Sequence, residues 1–170
     1  MLCISTKEFL FWKKKQLSKG GDYESFAVLI DCVGGISNID LISSSINTDE
    51  KLYFKKNLDF IESIWEEHLL NSKPIQYLCG ITFWRDLKIK VSDKVLIPRP
   101  ETELIVDIVV NIFGKKSHKI IFAELGTGSG AISIALALTY PIWDGIATDI
   151  DQDALETVSY THLRAHETTD

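Results

Sequence analysis

A glycine-rich turn is the motif in this sequence that most clearly points to chemistry. Glycines stand at positions 126, 128 and 130, directly after an apolar run that predicts a strand and before a run that predicts a helix. Glycines let the backbone turn tightly and approach a ligand, because no Cβ stands in the way. Asp149 follows 19 residues after Gly130, at the end of the next predicted strand. An acidic side chain there can accept hydrogen bonds from both hydroxyls of a ribose.

The glycine pattern by itself fits two nucleoside cofactors. Gly126, Gly128 and Ala131 match the G-x-G-x-x-A fingerprint of dinucleotide sites such as those for NAD. Two features favour S-adenosylmethionine instead. Gly130 adds a third glycine, and the carboxylate of Glu124 suits the sulfonium and ammonium of that cofactor better than a pyrophosphate. The remaining interpretation is a turn that only packs a helix against a sheet.

These arguments define a cofactor site without a catalytic group. The histidines show no metal-ligand spacing, so no metal site is predicted. The predicted cofactor-binding residues are Glu124, Gly126, Thr127, Gly128, Ser129, Gly130 and Asp149.

The first part of the sequence predicts a small helical bundle. Ser5 and Glu8 form an S-x-x-E capping box, and Asp22 can cap a second helix. A short helix is expected over residues 39–42. The longest helix is expected over residues 49–70, where apolar residues recur at helical spacing: Phe54, Leu58, Ile61, Trp65 and Leu69.

The second part predicts an α/β arrangement. Alternating apolar residues predict a β-hairpin over residues 77–97, and Pro100 suits the first turn of a helix that ends at Gly114. The elements that follow are strand, glycine turn, helix, strand and helix, over residues 119–124, 125–130, 131–139, 145–149 and 152–158. This order is a βαβ unit, so the two strands should be parallel.

Composition excludes several classes of protein. Eighteen Lys and Arg against 24 Asp and Glu give a net charge of −6, which argues against direct nucleic-acid binding. No apolar run is long enough for a membrane span, and Lys7 and Glu8 interrupt any signal peptide. Cys3, Cys32 and Cys79 are widely spaced and are expected to be reduced thiols of a cytoplasmic protein.

Four segments carry a resemblance to a known family. Residues 74–84 read PIQYLCGITFW, residues 95–104 read VLIPRPETEL, residues 124–132 read ELGTGSGAI, and residues 148–155 read TDIDQDAL. With these segments the chain resembles the HemK-type glutamine methyltransferases that modify peptide-chain release factors. The resemblance covers residues 74–155, and before residue 74 it rests on architecture alone.

The resemblance implies a helical domain that recognises the protein substrate, a β-hairpin linker and a class I, Rossmann-like methyltransferase domain. These would occupy residues 1–73, 74–97 and 98–158. It also implies S-adenosylmethionine as methyl donor and a release factor as partner. The glycine turn would line the cofactor pocket and Asp149 would hold the ribose. Arg99, Glu101 and Glu103 would pack over the cofactor side.

The sequence also departs from the family. It contains no Asn-Pro-Pro-Tyr signature, which in the family orients the target glutamine. Residues 159–170 offer little to pack and resemble a non-native tail. We therefore expect an incomplete chain that is inactive alone. Two alternatives stay open: an amino methyltransferase acting on nucleic acid, and a non-catalytic helical module that binds a translation factor.

Overall fold

The computed structural model describes residues 1–37, 50–114 and 119–167, which form a mixed α/β structure. The chain divides into two units, Met1–Cys79 and Gly80–Asp170. The short helix expected over residues 39–42 lies outside the described residues. Within the described part, no helix has the length and apolar character needed to cross a membrane.

The first unit contains four helices and two strands among its described residues. Side-chain caps begin three of the helices: the capping box of Ser5 and Glu8, Asp22 and Asn57. The two caps predicted from sequence are therefore confirmed. A π-helical turn over Ile30–Gly34 extends the second helix. The elements are β1 (Leu2–Ser5), α1 (Thr6–Ser18), α2 (Tyr23–Leu29), β2 (Lys51–Phe54), α3 (Leu58–Asn71) and α4 (Ile75–Cys79).

A two-stranded antiparallel sheet corrects the prediction of a purely helical first unit. β1 pairs with β2, with Leu2 opposite Phe54 and Ser5 opposite Lys51. The long helix predicted over residues 49–70 is wrong at its start, because residues 51–54 alternate between exposed and buried as a strand does. Helix α3 begins only after the cap at Asn57. A spacing of four between Phe54 and Leu58 fits a helix, but here the two residues lie on different elements.

Aromatic side chains form the centre of the first unit. Phe9, Phe26, Phe54 and Trp65 are at most 1% exposed. The rings of Phe26 and Trp65 meet edge to face, with centroids 5.3 Å apart, and Trp65 Nε1 donates to the Gln16 carbonyl at 3.2 Å. The indole thus contributes apolar contact and satisfies its N–H in the same place.

The second unit begins with a hairpin of β3 (Ile81–Trp84) and β4 (Leu87–Lys90). It is shorter at both ends than the hairpin predicted over residues 77–97, because residues 77–79 belong to helix α4 and β4 ends at Lys90. Trp84 Nε1 donates to the Arg99 carbonyl at 2.9 Å. Pro100 then opens a 3₁₀ turn that leads into α5 (Glu103–Phe113), which ends at Gly114 as predicted.

A parallel βαβ unit completes the second unit and confirms the predicted order of elements. Strands β5 (Ile121–Leu125) and β6 (Asp144–Thr148) are parallel, with Leu125 opposite Thr148. Helix α6 (Ala131–Thr139) connects them and packs against both α5 and β6. Helix α7 (Gln152–Glu167) follows and contacts β4. Its backbone stays helical beyond residue 159, whereas the sequence suggested a break in structure there.

The cap at Asp22 generates a prediction about stability. Asp22 accepts hydrogen bonds from the backbone N–H and the hydroxyl of Ser25, both at 2.8 Å, and these hold its pKa below the ordinary value. Asp22→Ala should lower the free energy of unfolding by about 1 kcal/mol at pH 7. Because the pKa of Asp22 is lower in the folded state, the cap contributes its full stability at pH values above the unfolded-state pKa. That stability is lost as pH falls through the folded-state pKa. Urea unfolding at pH 7 and near pH 2 measures this, with Glu67→Ala on α3 as control. An equal loss at both pH values would contradict the assignment.

Candidate functional site

The glycine turn between β5 and α6 is held on the end of β6 by backbone hydrogen bonds. The N–H groups of Gly126 and Thr127 donate to the Thr148 carbonyl at 2.8 and 2.9 Å. Three glycines take positive φ angles, of 71° at Gly126, 54° at Gly128 and 77° at Gly130. Left-handed backbone is costly for residues with a Cβ, so the glycines are required by conformation at all three positions.

The three glycines differ in what surrounds them. Apart from the glycine itself and its two chain neighbours, no heavy atom of the described residues lies within 4 Å of where a Cβ would stand at Gly126 or Gly128. At Gly130 a Cβ would come within 2.9 Å of Val158 and 3.2 Å of Ile134. Gly126 and Gly128 therefore leave room for a ligand to approach the backbone, whereas Gly130 serves close packing of the turn against α6 and α7.

Asp149, directly after β6, holds the turn from one side. Its Oδ2 accepts the Gly128 N–H at 2.8 Å and its Oδ1 accepts the Asp151 N–H at 3.0 Å. These backbone donors keep the pKa of the Asp149 carboxyl below its ordinary value. The side chain is therefore an anion near neutral pH, adjacent to the open glycines, and each oxygen retains capacity for another donor.

Glu124, on β5, holds the turn from the other side. Its Oε2 accepts the Thr127 hydroxyl at 2.8 Å, the Ser133 N–H at 3.1 Å and the Ser133 hydroxyl. The residue before helix α6 is Gly130, which has no side chain to cap the helix, so Glu124 caps it from the neighbouring strand. The site thus brings together the two carboxylates that the sequence singled out.

Two other predicted residues lie inside the turn. Thr127 and Ser129 are 6% and 4% exposed, so they lie in its interior. Ser133 was missed by sequence reasoning. Ser133 stands three residues after Gly130, where the backbone N–H normally donates to the residue that caps the helix. This spacing is the signal that could have identified it.

Of the three residues that the family resemblance assigns to the cofactor side, Arg99 and Glu101 lie at the 3₁₀ turn before α5, and Glu103 is the first residue of α5. Two of them contact the hairpin. The Arg99 backbone carbonyl accepts the Trp84 indole N–H, and Glu103 Oε1 accepts the Arg85 N–H at 3.4 Å. Arg85 also pairs with Asp107 at 2.9 Å. Within the described residues no group of acidic, histidine or cysteine side chains could hold a metal ion.

A parallel βαβ unit with a glycine turn after its first strand and a carboxylate after its second is typical of α/β proteins that bind nucleoside cofactors. Sequence comparison is more specific. The chain is 39% identical over 153 residues to the release factor glutamine methyltransferase of Prochlorococcus marinus, covering 89% of this chain and 52% of that protein. It is 31% identical over 148 residues to the Streptococcus pneumoniae protein of the same name, covering 87% and 51%.

A third relative with that name, from Synechocystis, is 50% identical over 84 residues, covering 48% of this chain and 28% of that protein. No protein-family model matches the chain. These matches confirm the resemblance to release factor glutamine methyltransferases that is noted in the sequence. The chain spans about half the length of the Prochlorococcus marinus and Streptococcus pneumoniae proteins, although the matches cover most of this chain.

The different surroundings of the glycines predict different effects of alanine. Gly128→Ala should cost about 1 kcal/mol of stability, because the left-handed backbone is strained but the Cβ meets no neighbour. Gly130→Ala should cost a further ~1–3 kcal/mol, because its Cβ crowds Val158 and Ile134. Chemical unfolding followed by circular dichroism compares the two variants. Equal losses would contradict the division of the turn into an open part and a packed part.

Proposed function

We propose that this chain provides part of the S-adenosylmethionine site of a class I, Rossmann-like methyltransferase that modifies a glutamine side-chain nitrogen of peptide-chain release factors. The observation that carries the proposal is the open glycine turn between two carboxylates on a parallel βαβ unit. The names of its relatives supply the reaction and the substrate class.

The residues fit this cofactor by shape and by charge. Open space at Gly126 and Gly128 admits a ligand against the backbone. Asp149 can accept from the ribose hydroxyls with the lone pairs that its two backbone donors leave free. Glu124 adds negative charge to the site, which would suit a cofactor that carries a sulfonium and an ammonium.

When bound, the cofactor supplies an electrophilic methyl group for in-line displacement. An amide nitrogen is a poor nucleophile, so the protein must contribute mainly orientation. The residues of this chain bind and orient the donor. The sequence contains no Asn-Pro-Pro-Tyr to orient the acceptor, and we therefore expect little or no turnover from the chain alone.

We assign recognition of the release factor to the helical region, residues 1–73, and donor binding to residues 98–158. A role on a translation factor implies a cytoplasmic protein, and the three cysteines, none of which forms a disulfide, agree with a reducing compartment. Residues 159–170 remain proposed as a non-native tail.

Calorimetric titration with S-adenosylmethionine tests the proposed cofactor, with NAD as the competing ligand. We expect binding of S-adenosylmethionine and none of NAD. Asp149→Asn should weaken the affinity about tenfold, because the ribose hydroxyls lose a charged acceptor. Asp153→Asn, a nearby exposed carboxylate on α7, is the matched control and should bind as the wild type does.

Selective NAD binding would replace the proposal with the dinucleotide alternative. Equal binding by the Asp149 and Asp153 variants would remove Asp149 from the site. A radiolabelled methyl-transfer assay with a release factor measures turnover, and incorporation by the chain alone would contradict the expected inactivity.

A further inference from the structure

Two of the three cysteines meet inside the first unit, although they stand far apart in the sequence. Cys32 lies in the π-helical turn that extends α2, and Cys79 is the last residue of α4. Helices α2 and α4 pack against each other. The Cys32 thiol donates a hydrogen bond to the sulfur of Cys79. The fold therefore places two thiols in direct contact.

The surroundings of Cys79 favour its thiolate. Both cysteines are half-buried, and Cys79 packs against the aromatic core of the first unit. The hydrogen bond from Cys32 keeps the pKa of the Cys79 thiol below its ordinary value, because it outweighs the opposing effect of burial. The thiolate is the form of cysteine that attacks an oxidant. Redox-sensing cysteines typically combine such a nucleophile with a second cysteine beside it.

We propose that Cys32 and Cys79 form a redox modification site, which a peroxide converts reversibly to an intramolecular disulfide. The Cys79 thiolate attacks one oxygen of the peroxide, the O–O bond breaks, and Cys79 becomes a sulfenic acid. The Cys32 sulfur then attacks the sulfenic sulfur, the S–S bond forms, and the S–O bond breaks to release hydroxide. With hydrogen peroxide, the two thiols lose two electrons and two protons, and the peroxide is reduced to two molecules of water.

The proposed disulfide agrees with the reduced thiols of this structure. In a reducing compartment, disulfides are transient and belong to catalytic or redox-sensing sites. The crosslink would tie the end of α4 to the turn after α2, so the two helices could not separate. The inference goes beyond the proposed function, because neither cysteine belongs to the proposed cofactor site.

Peptide mapping of the folded chain after treatment with hydrogen peroxide tests the proposal. We expect the chain to lose about 2 Da, the mass of two hydrogen atoms, and to regain it with dithiothreitol. The crosslink between Cys32 and Cys79 should be about tenfold more abundant than either crosslink to the exposed Cys3.

The same treatment of the chain unfolded in urea is the control for contact in the fold. Cys3 is nearer to Cys32 in the sequence than Cys79 is. Loop closure therefore favours the crosslink between Cys3 and Cys32 in the unfolded chain, by about twofold. A reversal of preference between the unfolded and the folded chain would show that the fold selects the pair.

Three serine variants assign the roles of the cysteines. Cys32→Ser cannot form the crosslink and should leave Cys79 as a sulfenic acid, which dimedone traps. Cys79→Ser removes the nucleophile, so Cys32 should react with neither peroxide nor dimedone under the same conditions. Cys3→Ser is the matched control and should form the crosslink to the same extent as the wild type.

Chemical unfolding measures whether the native fold accommodates the bond. A disulfide constrains the unfolded chain, so the oxidised wild type should unfold at a urea midpoint at least about 1 M above that of the reduced wild type. Cys79→Ser treated with peroxide should show no such shift.

Three results would overturn the inference. The first is an equal distribution of crosslinks among the three cysteines of the folded chain. The second is oxidation of wild-type Cys79 that ends at the sulfenic or sulfinic acid without a crosslink. The third is a lower urea midpoint for the oxidised chain, because the fold would then have to distort to form the bond. Binding of S-adenosylmethionine by the reduced chain tests the proposed function separately.

Discussion

The backbone between β5 and α6 passes through left-handed conformations at three alternate residues, and the residues around the turn must supply acceptors for its N–H groups. Glycine adopts these conformations without a steric clash, but the backbone N–H groups of the turn still need acceptors. The Thr148 carbonyl takes two of them and Asp149 takes the one at Gly128. These acceptors lie at the end of β6, so the turn is formed only when the parallel pairing of β5 with β6 is in register.

The proposed ligand-binding roles therefore fall on carboxylates that also hold the turn. Asp149 uses both oxygens to hold backbone N–H groups, yet each oxygen retains a free lone pair. Glu124 instead concentrates its donors on one oxygen and leaves the other open. In the proposed site, this difference would suit two kinds of ligand group, a pair of neutral hydroxyls beside Asp149 and a cation beside Glu124.

The two units differ in how fully their apolar surfaces are covered by the described residues. The first unit encloses an aromatic core. In the second, Ile121, Leu125 and Ile146 on the paired strands are 73%, 83% and 61% exposed. Parallel sheets are normally covered on both faces, and the described residues cover one. The chain also spans about half the length of its Prochlorococcus marinus and Streptococcus pneumoniae relatives.

The sequence by itself determined the features that depend on neighbouring residues: the caps at Ser5 and Asp22, the glycine turn, the bounds of α6 and the order of the βαβ unit. Local hydrogen bonds and short apolar periods encode these features directly. Tertiary structure decided what joins distant residues. The pairing of Leu2 with Phe54 and the convergence of Ser133 on Glu124 both needed the folded chain. Apolar residues four positions apart share a face only when both lie on the same helix. A helix cap supplied by a residue on another element has no signature in the neighbouring sequence.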